Sequence, residues 1–170
     1  LDEYRRFLDE YEMECVEVSD GVMELDHDLK CQYITDFSKD YTVLSEVGTK
    51  LKGKEISNEK WISYMQTELQ AGAWKVIAEA RESGNMGIYN DDGSANFELI
   101  LGIKKAVDPD VLLWEAPLKN QQVWFIKLLG PNVNLGNIAT NEIIPLETLR
   151  LGLRGDTLLT FLPCIHNWDI

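Results

Sequence analysis

Two stretches decide the fold class of this sequence: residues 42–48 (TVLSEVG) and residues 74–81 (WKVIAEAR). Both runs are short, rich in apolar residues and bounded by small or polar residues, which is typical of buried β-strands. Between them, Ser57 is placed to cap an amphipathic helix and Gly72 is placed to end it. The order strand, helix, strand predicts a parallel βαβ unit, because parallel strands need a crossover connection.

The same alternation continues in both directions along the chain. Further strand-like runs occupy residues 15–21, 111–117 and 132–138. Helical patterns occupy residues 2–11, 97–105, 121–129 and 140–153. Thr140 is placed to cap the last of these helices. Strand and helix thus alternate five times, which predicts an α/β fold with a parallel sheet.

Two architectures are compatible with such a sheet: an open doubly wound sheet and a (β/α)8 TIM barrel. No Gly-x-Gly-x-x-Gly motif follows any strand, so a dinucleotide site is not predicted. A barrel takes roughly 250 residues for its eight units, or about 31 residues each. Five strands in 170 residues do not close a barrel, and the sequence starts in a helix that directly precedes a strand. We therefore expect either a five-stranded open sheet or the C-terminal part of a barrel.

The composition argues against several classes of binding partner and of metal site. There are 16 Lys+Arg against 29 Asp+Glu, a net charge of -13, which argues against binding to nucleic acid or to an anionic membrane surface. No apolar run is long enough for a membrane span and no signal-peptide core is recognisable, so we expect a soluble, cytoplasmic protein. Three separated cysteines and two histidines predict neither disulfides nor a three-histidine zinc site. Any metal is expected to be a hard cation on oxygen ligands.

Four of the five strand-like runs contain a glutamate among apolar residues: Glu17, Glu46, Glu79 and Glu115. Alternation along a strand sends each glutamate to the face opposite its apolar neighbours. Carboxylates that converge at the carboxyl ends of parallel strands form a Mg²⁺ site, because this cation takes oxygen ligands and offsets their mutual repulsion. The alternative is that these glutamates pair with lysine or arginine side chains and serve the structure alone.

Two further groups of polar residues point to an anionic ligand. Residues 79–87 follow a strand and contain Arg81, Ser83 and two glycines, a combination suited to gripping an anion. Asn134 and Asn137 flank Gly136 near the last strand, where barrels often bind phosphate. A structural loop and amides that bond only to the backbone are the corresponding alternatives.

Lys50 lies just beyond the strand that contains Glu46. Most lysines are solvated surface groups, but a lysine beside a metal cluster can have a depressed pKa and transfer protons. The residues by themselves therefore predict a parallel α/β enzyme that depends on Mg²⁺ and acts on a small anionic molecule.

Six segments resemble, in the same order, the phosphosulfolactate synthase family. They are residues 16–21 (VEVSDG), 44–50 (LSEVGTK), 79–84 (EARESG), 114–122 (WEAPLKNQQ), 130–138 (GPNVNLGNI) and 146–157 (LETLRLGLRGDT). The resemblance covers residues 1–157, which we expect to form part of a (β/α)8 barrel. The tail at residues 158–170 matches nothing in the family, and no role is predicted for it.

The resemblance implies a lyase that uses Mg²⁺ to add sulfite to phosphoenolpyruvate, giving (2R)-2-phospho-3-sulfolactate. In methanogens this product leads to coenzyme M, and spore-forming bacteria make sulfolactate with a relative. The implied roles are proton donor for Lys50, Mg²⁺ ligands for Glu46, Glu79 and Glu115, and substrate contacts for Arg81, Ser83, Asn134 and Asn137. A homo-oligomer is compatible with the resemblance.

Departures from the family pattern leave other functions open. The family has roughly three further strands before the first one here, including one that ends in a K-F-G-W-G motif, and nothing in this sequence matches them. One alternative is a non-catalytic, stress-associated relative, and another is a different Mg²⁺-dependent enolate-forming barrel enzyme. Retention of Glu46, Lys50 and the 81–84 loop favours an enzyme.

Overall fold

A single parallel sheet of five strands organises the chain. The computed structural model describes residues 1–21, 23, 25–48 and 56–161. The strands are β1 (Cys15–Val18), β2 (Thr42–Val47), β3 (Lys75–Ala78), β4 (Leu112–Glu115) and β5 (Leu135–Gly136). They lie side by side in the order β1-β2-β3-β4-β5, and every neighbouring pair is parallel. The predicted parallel α/β architecture is therefore confirmed, and the sequential order is that of a barrel wall rather than of a doubly wound sheet.

Helices connect the strands. They are α1 (Asp2–Glu10), α2 (His27–Phe37), α3 (Asn58–Gln70), α4 (Phe97–Ala106), α5 (Lys119–Leu129), α6 (Ile143–Arg150) and α7 (Leu158–Phe161), with 3-10 turns at Pro109–Val111 and Thr140–Glu142. No helix among the described residues is both long enough and apolar enough to cross a bilayer.

Strand alternation separates an apolar face from a polar one. Val16 and Val18 in β1 are buried, whereas Glu17 between them is exposed. In β2, Val43 and Val47 are each 1% exposed and belong to the main core. The opposite face of the sheet therefore receives the strand glutamates, as the sequence predicts.

The core lies between the sheet and the helices. Its largest fully buried apolar side chains are Trp114, Phe125, Ile34, Met65, Ile88, Leu99, Ile100, Ile103, Leu112, Ile126 and Leu149. Both sheet and helices contribute, so burial of this face holds the strands in register. The carboxyl ends of the strands, where function is expected, are thus built on a packed support.

Local signals at the helix ends account for most predicted boundaries. The Ser57 hydroxyl accepts a hydrogen bond from the Lys60 amide (3.3 Å) at the start of α3, and Gly72 follows the helix with φ +116°, as predicted. The prediction that Thr140 caps a helix is wrong, because a 3-10 turn, Thr140–Glu142, precedes α6. Helix α2 was not predicted, although the Asp26 carboxylate caps it by accepting from two backbone amides.

Candidate active site

Three carboxylates converge at the carboxyl edge of the sheet. Glu46 lies near the end of β2, Glu79 directly follows β3, and Glu115 ends β4. One carboxylate oxygen from each residue lies within 4.8 Å of the others. Glu46 is 4% exposed and Glu79 is 1% exposed. We call these three residues the carboxylate cluster.

Strand register explains why these three side chains meet. Val47 lies opposite Ala78, so Glu79 follows at the level where β2 ends, and Trp114 pairs with Ala78 one residue before Glu115. The Glu115 carboxylate also accepts a hydrogen bond from the Ala80 amide (2.6 Å). This bond ties the end of β4 to the backbone that leaves β3, and so fixes the Glu115 side chain in the cluster.

Gly48 makes room for the cluster. A Cβ at this position would lie 2.8 Å from Cη2 of Trp61 and closer still to Cβ of Glu79. The Gly48 backbone also has φ +145°, which side-chain-bearing residues rarely adopt. Glycine therefore allows β2 to end directly against the Glu79 side chain.

A cleft of about 720 Å³ opens over the carboxylate cluster. Its lining residues include Glu46, Glu115, Arg81, Ser83 and Asn137. Glu17, the remaining strand glutamate, also lines this cleft but does not belong to the three-residue cluster. The cleft thus places carboxylates, a guanidinium group, a hydroxyl and an amide around one volume.

The loop that carries Arg81 and Ser83 is exposed but anchored. The Ser83 hydroxyl donates to the Asn85 side chain (2.6 Å), and Arg81 also makes contacts within the structure. The buried Gln121 side chain donates to the Gly84 carbonyl (2.8 Å) and its oxygen accepts from the Leu118 amide. Gln121 therefore holds the loop against the start of α5.

The two candidate asparagines lie at different ends of β5. Asn137 lines the cleft, and its amide donates to the Ala80 carbonyl (3.1 Å) from a backbone with φ +53°. Asn134 precedes β5, and its amide donates to the carbonyl of Leu112 (3.0 Å), at the start of β4. The structure therefore brings Asn137, but not Asn134, to the carboxylate cluster.

Lys30, on α2, is a buried cation behind the cluster that the sequence reasoning missed. Its ammonium donates to the Glu46 carbonyl (2.5 Å) and to Asp20 (2.8 Å), and it forms an ion pair with Glu68 (3.0 Å). Burial alone lowers the pKa of Lys30, but the charges of Glu68 and Asp20 outweigh it and leave this pKa raised. The lysine thus keeps its charge. A signal was available: Lys30 lies four residues before Ile34 on the buried face of the helix.

Glu68 connects this lysine to two further polar groups. The Glu68 carboxylate, which is fully buried, accepts from the Ser45 hydroxyl (2.6 Å) and lies 3.3 Å from Nε2 of His27. His27 in turn stacks on Tyr64. A polar network therefore links α2 and α3 to β2 beneath the cluster.

Tyr89 was also missed by the sequence reasoning. Its hydroxyl donates to the backbone carbonyl of Glu115 (2.7 Å), and the residue is 5% exposed. Burial and then the charge of Glu115 raise the pKa of Tyr89, so the hydroxyl remains protonated and donates. Residues 90–94 (NDDGS) predict a turn, and residues 88–96 do fold back into a short turn in which Tyr89 pairs with Ala95. The local sequence does not indicate that this turn places Tyr89 against β4.

Two predicted features fall outside the described residues. Lys50, the predicted proton donor, belongs to residues 49–55, and most of the tail, residues 162–170, is likewise not described. The metal, substrate and proton-donor roles assigned from the sequence therefore remain predictions.

The chain is similar to known proteins over most of its length. The sequence profile of the (2R)-phospho-3-sulfolactate synthase (ComA) family matches residues 1–156. Phosphosulfolactate synthase of Bacillus subtilis (strain 168) is 44% identical over 161 residues, which are 92% of this chain and 64% of that protein. The Methanothermobacter thermautotrophicus enzyme of the same name is 42% identical over 85% of this chain and 58% of its own length.

A third relative has the same coverage as the first. Phosphosulfolactate synthase of Methanocaldococcus jannaschii is 40% identical over 162 residues, 92% of this chain and 64% of that protein. The chain thus spans about three fifths of the length of the curated relatives it matches.

Proposed function

Because the chain belongs to the (2R)-phospho-3-sulfolactate synthase family, we propose that it catalyses the Mg²⁺-dependent addition of sulfite to phosphoenolpyruvate. The observation that carries this proposal is the carboxylate cluster, with its three carboxylate oxygens within 4.8 Å of one another. Two of its members, Glu46 and Glu115, line the cleft together with Arg81, Ser83 and Asn137, which are suited to an anionic substrate. The product would be (2R)-2-phospho-3-sulfolactate.

The donor set of the cluster fits a hard divalent cation. Mg²⁺ takes oxygen ligands at about 2.1 Å, so any two oxygens that bind one ion lie at most about 4.2 Å apart. The carboxylate oxygens, which now lie within 4.8 Å of one another, would have to move inward to bind one ion together. Glu46, Glu79 and Glu115 would hold Mg²⁺, which when bound supplies Lewis-acid stabilisation of negative charge on the substrate carboxylate.

The loop residues would bind and orient the two anions. Arg81 offers a planar guanidinium that can bind phosphate or carboxylate in bidentate fashion, and the Ser83 hydroxyl and Asn137 amide add donors on the same cleft. The chain has net charge -13, so these donors must overcome the surrounding field locally. Asn134 lies away from the cleft, which leaves it the weakest of the proposed substrate contacts.

The proposed reaction requires one new bond and one proton. The sulfur lone pair of sulfite attacks the methylene carbon of phosphoenolpyruvate, and the electron pair of the double bond moves toward the carboxylate. The adjacent carbon then takes a proton, and we assign Lys50 as the donor on the basis of the E-V-G-x-K pattern. Lys50 would recover its proton from bulk water after each turnover.

The deciding assay combines phosphoenolpyruvate and sulfite with the purified full-length protein, with and without Mg²⁺. We expect phosphosulfolactate only when Mg²⁺ is present. Glu79→Gln should abolish product and weaken Mg²⁺ binding by more than about 100-fold, the upper end for groups that merely support a ligand. Glu98→Gln, an exposed carboxylate on α4, removes the same charge and should leave both measurements unchanged.

Two results would count against the proposal. No product from a folded protein that binds Mg²⁺ would exclude sulfite addition and favour another enolate-forming reaction. Full product formation by Glu79→Gln would remove the cluster from the mechanism.

A further inference from the structure

Lys30 and Tyr89 make the same kind of contact with two members of the carboxylate cluster. Each donates a hydrogen bond to the backbone carbonyl of a glutamate: Lys30 to Glu46 (2.5 Å) and Tyr89 to Glu115 (2.7 Å). Both donors lie behind the sheet edge rather than in the cleft, whose lining contains neither of them. They contact the strand ends from which the carboxylates project.

The contact with Glu46 lies where β1 leaves the sheet. In a parallel ladder the carbonyls of successive residues point to opposite neighbours. The Val47 carbonyl accepts from the Glu79 amide (3.0 Å) on the β3 side, so the Glu46 carbonyl points toward β1. Strand β1 ends at Val18, which pairs with the preceding residue of β2. The Lys30 ammonium therefore takes the position of the next backbone donor.

The contact with Glu115 follows the same rule on β4. The Ala116 amide donates to the Gly136 carbonyl (3.0 Å) on the β5 side, so the Glu115 carbonyl points toward β3. Strand β3 ends at Ala78, one residue before this level. The Tyr89 hydroxyl therefore replaces the backbone donor that β3 no longer supplies.

Both donors are buried and held by specific contacts. Lys30 is 2% exposed and fixed by Asp20 and Glu68, and Tyr89 is 5% exposed within the short turn. The network also accounts for residues of the matched segments that the proposed chemistry does not use. Asp20 binds Lys30, and Ser45 binds Glu68.

We propose that Lys30 and Tyr89 are positioning residues that extend the β-ladder beyond the ends of β1 and β3 and thereby fix Glu46 and Glu115 for cation binding. The cation-binding part of this inference rests on the proposed function. The positioning part concerns only how firmly the carboxylates are held.

Tyr89→Phe tests the inference with the smallest change, because it removes one hydroxyl and keeps the ring. A loosened Glu115 should weaken the bond from the Ala80 amide, so hydrogen exchange at Ala80 should become about fivefold faster. Mg²⁺ affinity, measured by calorimetry, should fall about 10- to 100-fold. Tyr41→Phe is the matched control, since its hydroxyl donates to Asp9 (2.6 Å) on α1, and it should change neither quantity.

Lys30→Met tests the second contact against a matched disruption of the same network. Glu68→Gln removes a buried charge but keeps a side-chain oxygen that can accept from Lys30, and it leaves the Lys30 bonds to Asp20 and to the Glu46 carbonyl in place. Both variants should be less stable, but only Lys30→Met should lose about 10- to 100-fold in Mg²⁺ affinity under conditions where both are folded. Equal losses in the two variants would reduce Lys30 to a structural role and overturn its assignment.

Ala80 exchange separates this inference from the proposed function. If the wild-type protein binds no Mg²⁺, the proposed metal chemistry fails, while Ala80 exchange in Tyr89→Phe still decides whether the hydroxyl fixes Glu115. Unchanged exchange at Ala80 would overturn the inference, whatever the metal affinity. If Lys30→Met does not fold, the Tyr89 measurements decide.

Discussion

Gly48→Ala should damage both the stability of the fold and the carboxylate cluster. The methyl group would enter space occupied by the Glu79 side chain and by Cη2 of Trp61, 2.8 Å away. Trp61 is 4% exposed and Glu79 is 1% exposed, so neither can swing into solvent to make room. The substitution therefore has to displace a member of the cluster or the aromatic ring packed beside it.

The expected loss of folding free energy in Gly48→Ala has two parts. Holding a non-glycine residue at φ +145° costs about 1–3 kcal/mol. Overpacking a buried site costs about a further 1–3 kcal/mol. Gly130→Ala carries only the first cost, because Gly130 has φ +96° but no atom within 4 Å of a new Cβ. The difference between the two variants, about 1–3 kcal/mol, isolates the crowding at Glu79.

Urea unfolding monitored by circular dichroism gives the free energy of unfolding of each variant. Calorimetry on the folded variants gives their Mg²⁺ affinity. We expect Gly48→Ala to be the less stable variant and the one with weakened Mg²⁺ binding, whereas Gly130→Ala should bind Mg²⁺ as the wild type does. Equal free energies of unfolding in the two variants, together with unchanged Mg²⁺ affinity, would refute the reasoning.

Three further substitutions test other parts of the structure. Asp26→Ala should cost about 1 kcal/mol in urea unfolding, because the Asp26 carboxylate accepts from two amides at the start of α2. Met65→Ala should cost about 2–5 kcal/mol, since Met65 is fully buried in the core. The Lys119 ammonium, 2.7 Å from Asp156, holds the pKa of that carboxyl below its usual value, so the stabilisation is lost as pH falls through the folded pKa. Lys119→Met should raise this pKa in a carbon-13 NMR titration and reduce that loss.

The sequence predicted the sheet because its signals are local. Each strand-like run, and the cap at Ser57, can be recognised within a few residues, and the parallel architecture follows from their order. Helix α2 was not predicted, because its buried face includes Lys30 and the hydrophobic pattern of a sequence assigns lysine to the solvent-exposed face. Only the distant partners Asp20 and Glu68 make this burial tolerable, and their proximity depends on the tertiary fold.

The candidate site was likewise predicted only in part. The strand ends place Glu46, Glu79 and Glu115 together, as alternation predicts. Sequence spacing did not show that Asn134 and Asn137 lie at opposite ends of β5. This strand has only two residues, and the positive φ of Asn137 sets where it ends. Tyr89 could not be found from local patterns, since its partner on β4 is 26 residues away.

The sequential order of the strands also has a kinetic consequence. Because each of the five described strands pairs with the next one made during synthesis, this part of the parallel ladder can grow in the direction of translation. Glu46 and Glu79 meet when β3 docks on β2, and Glu115 joins them when β4 docks. The mutual repulsion of the carboxylates therefore builds up one strand at a time, so a cation held by all three would stabilise the docked β4 more than the β2–β3 pair alone.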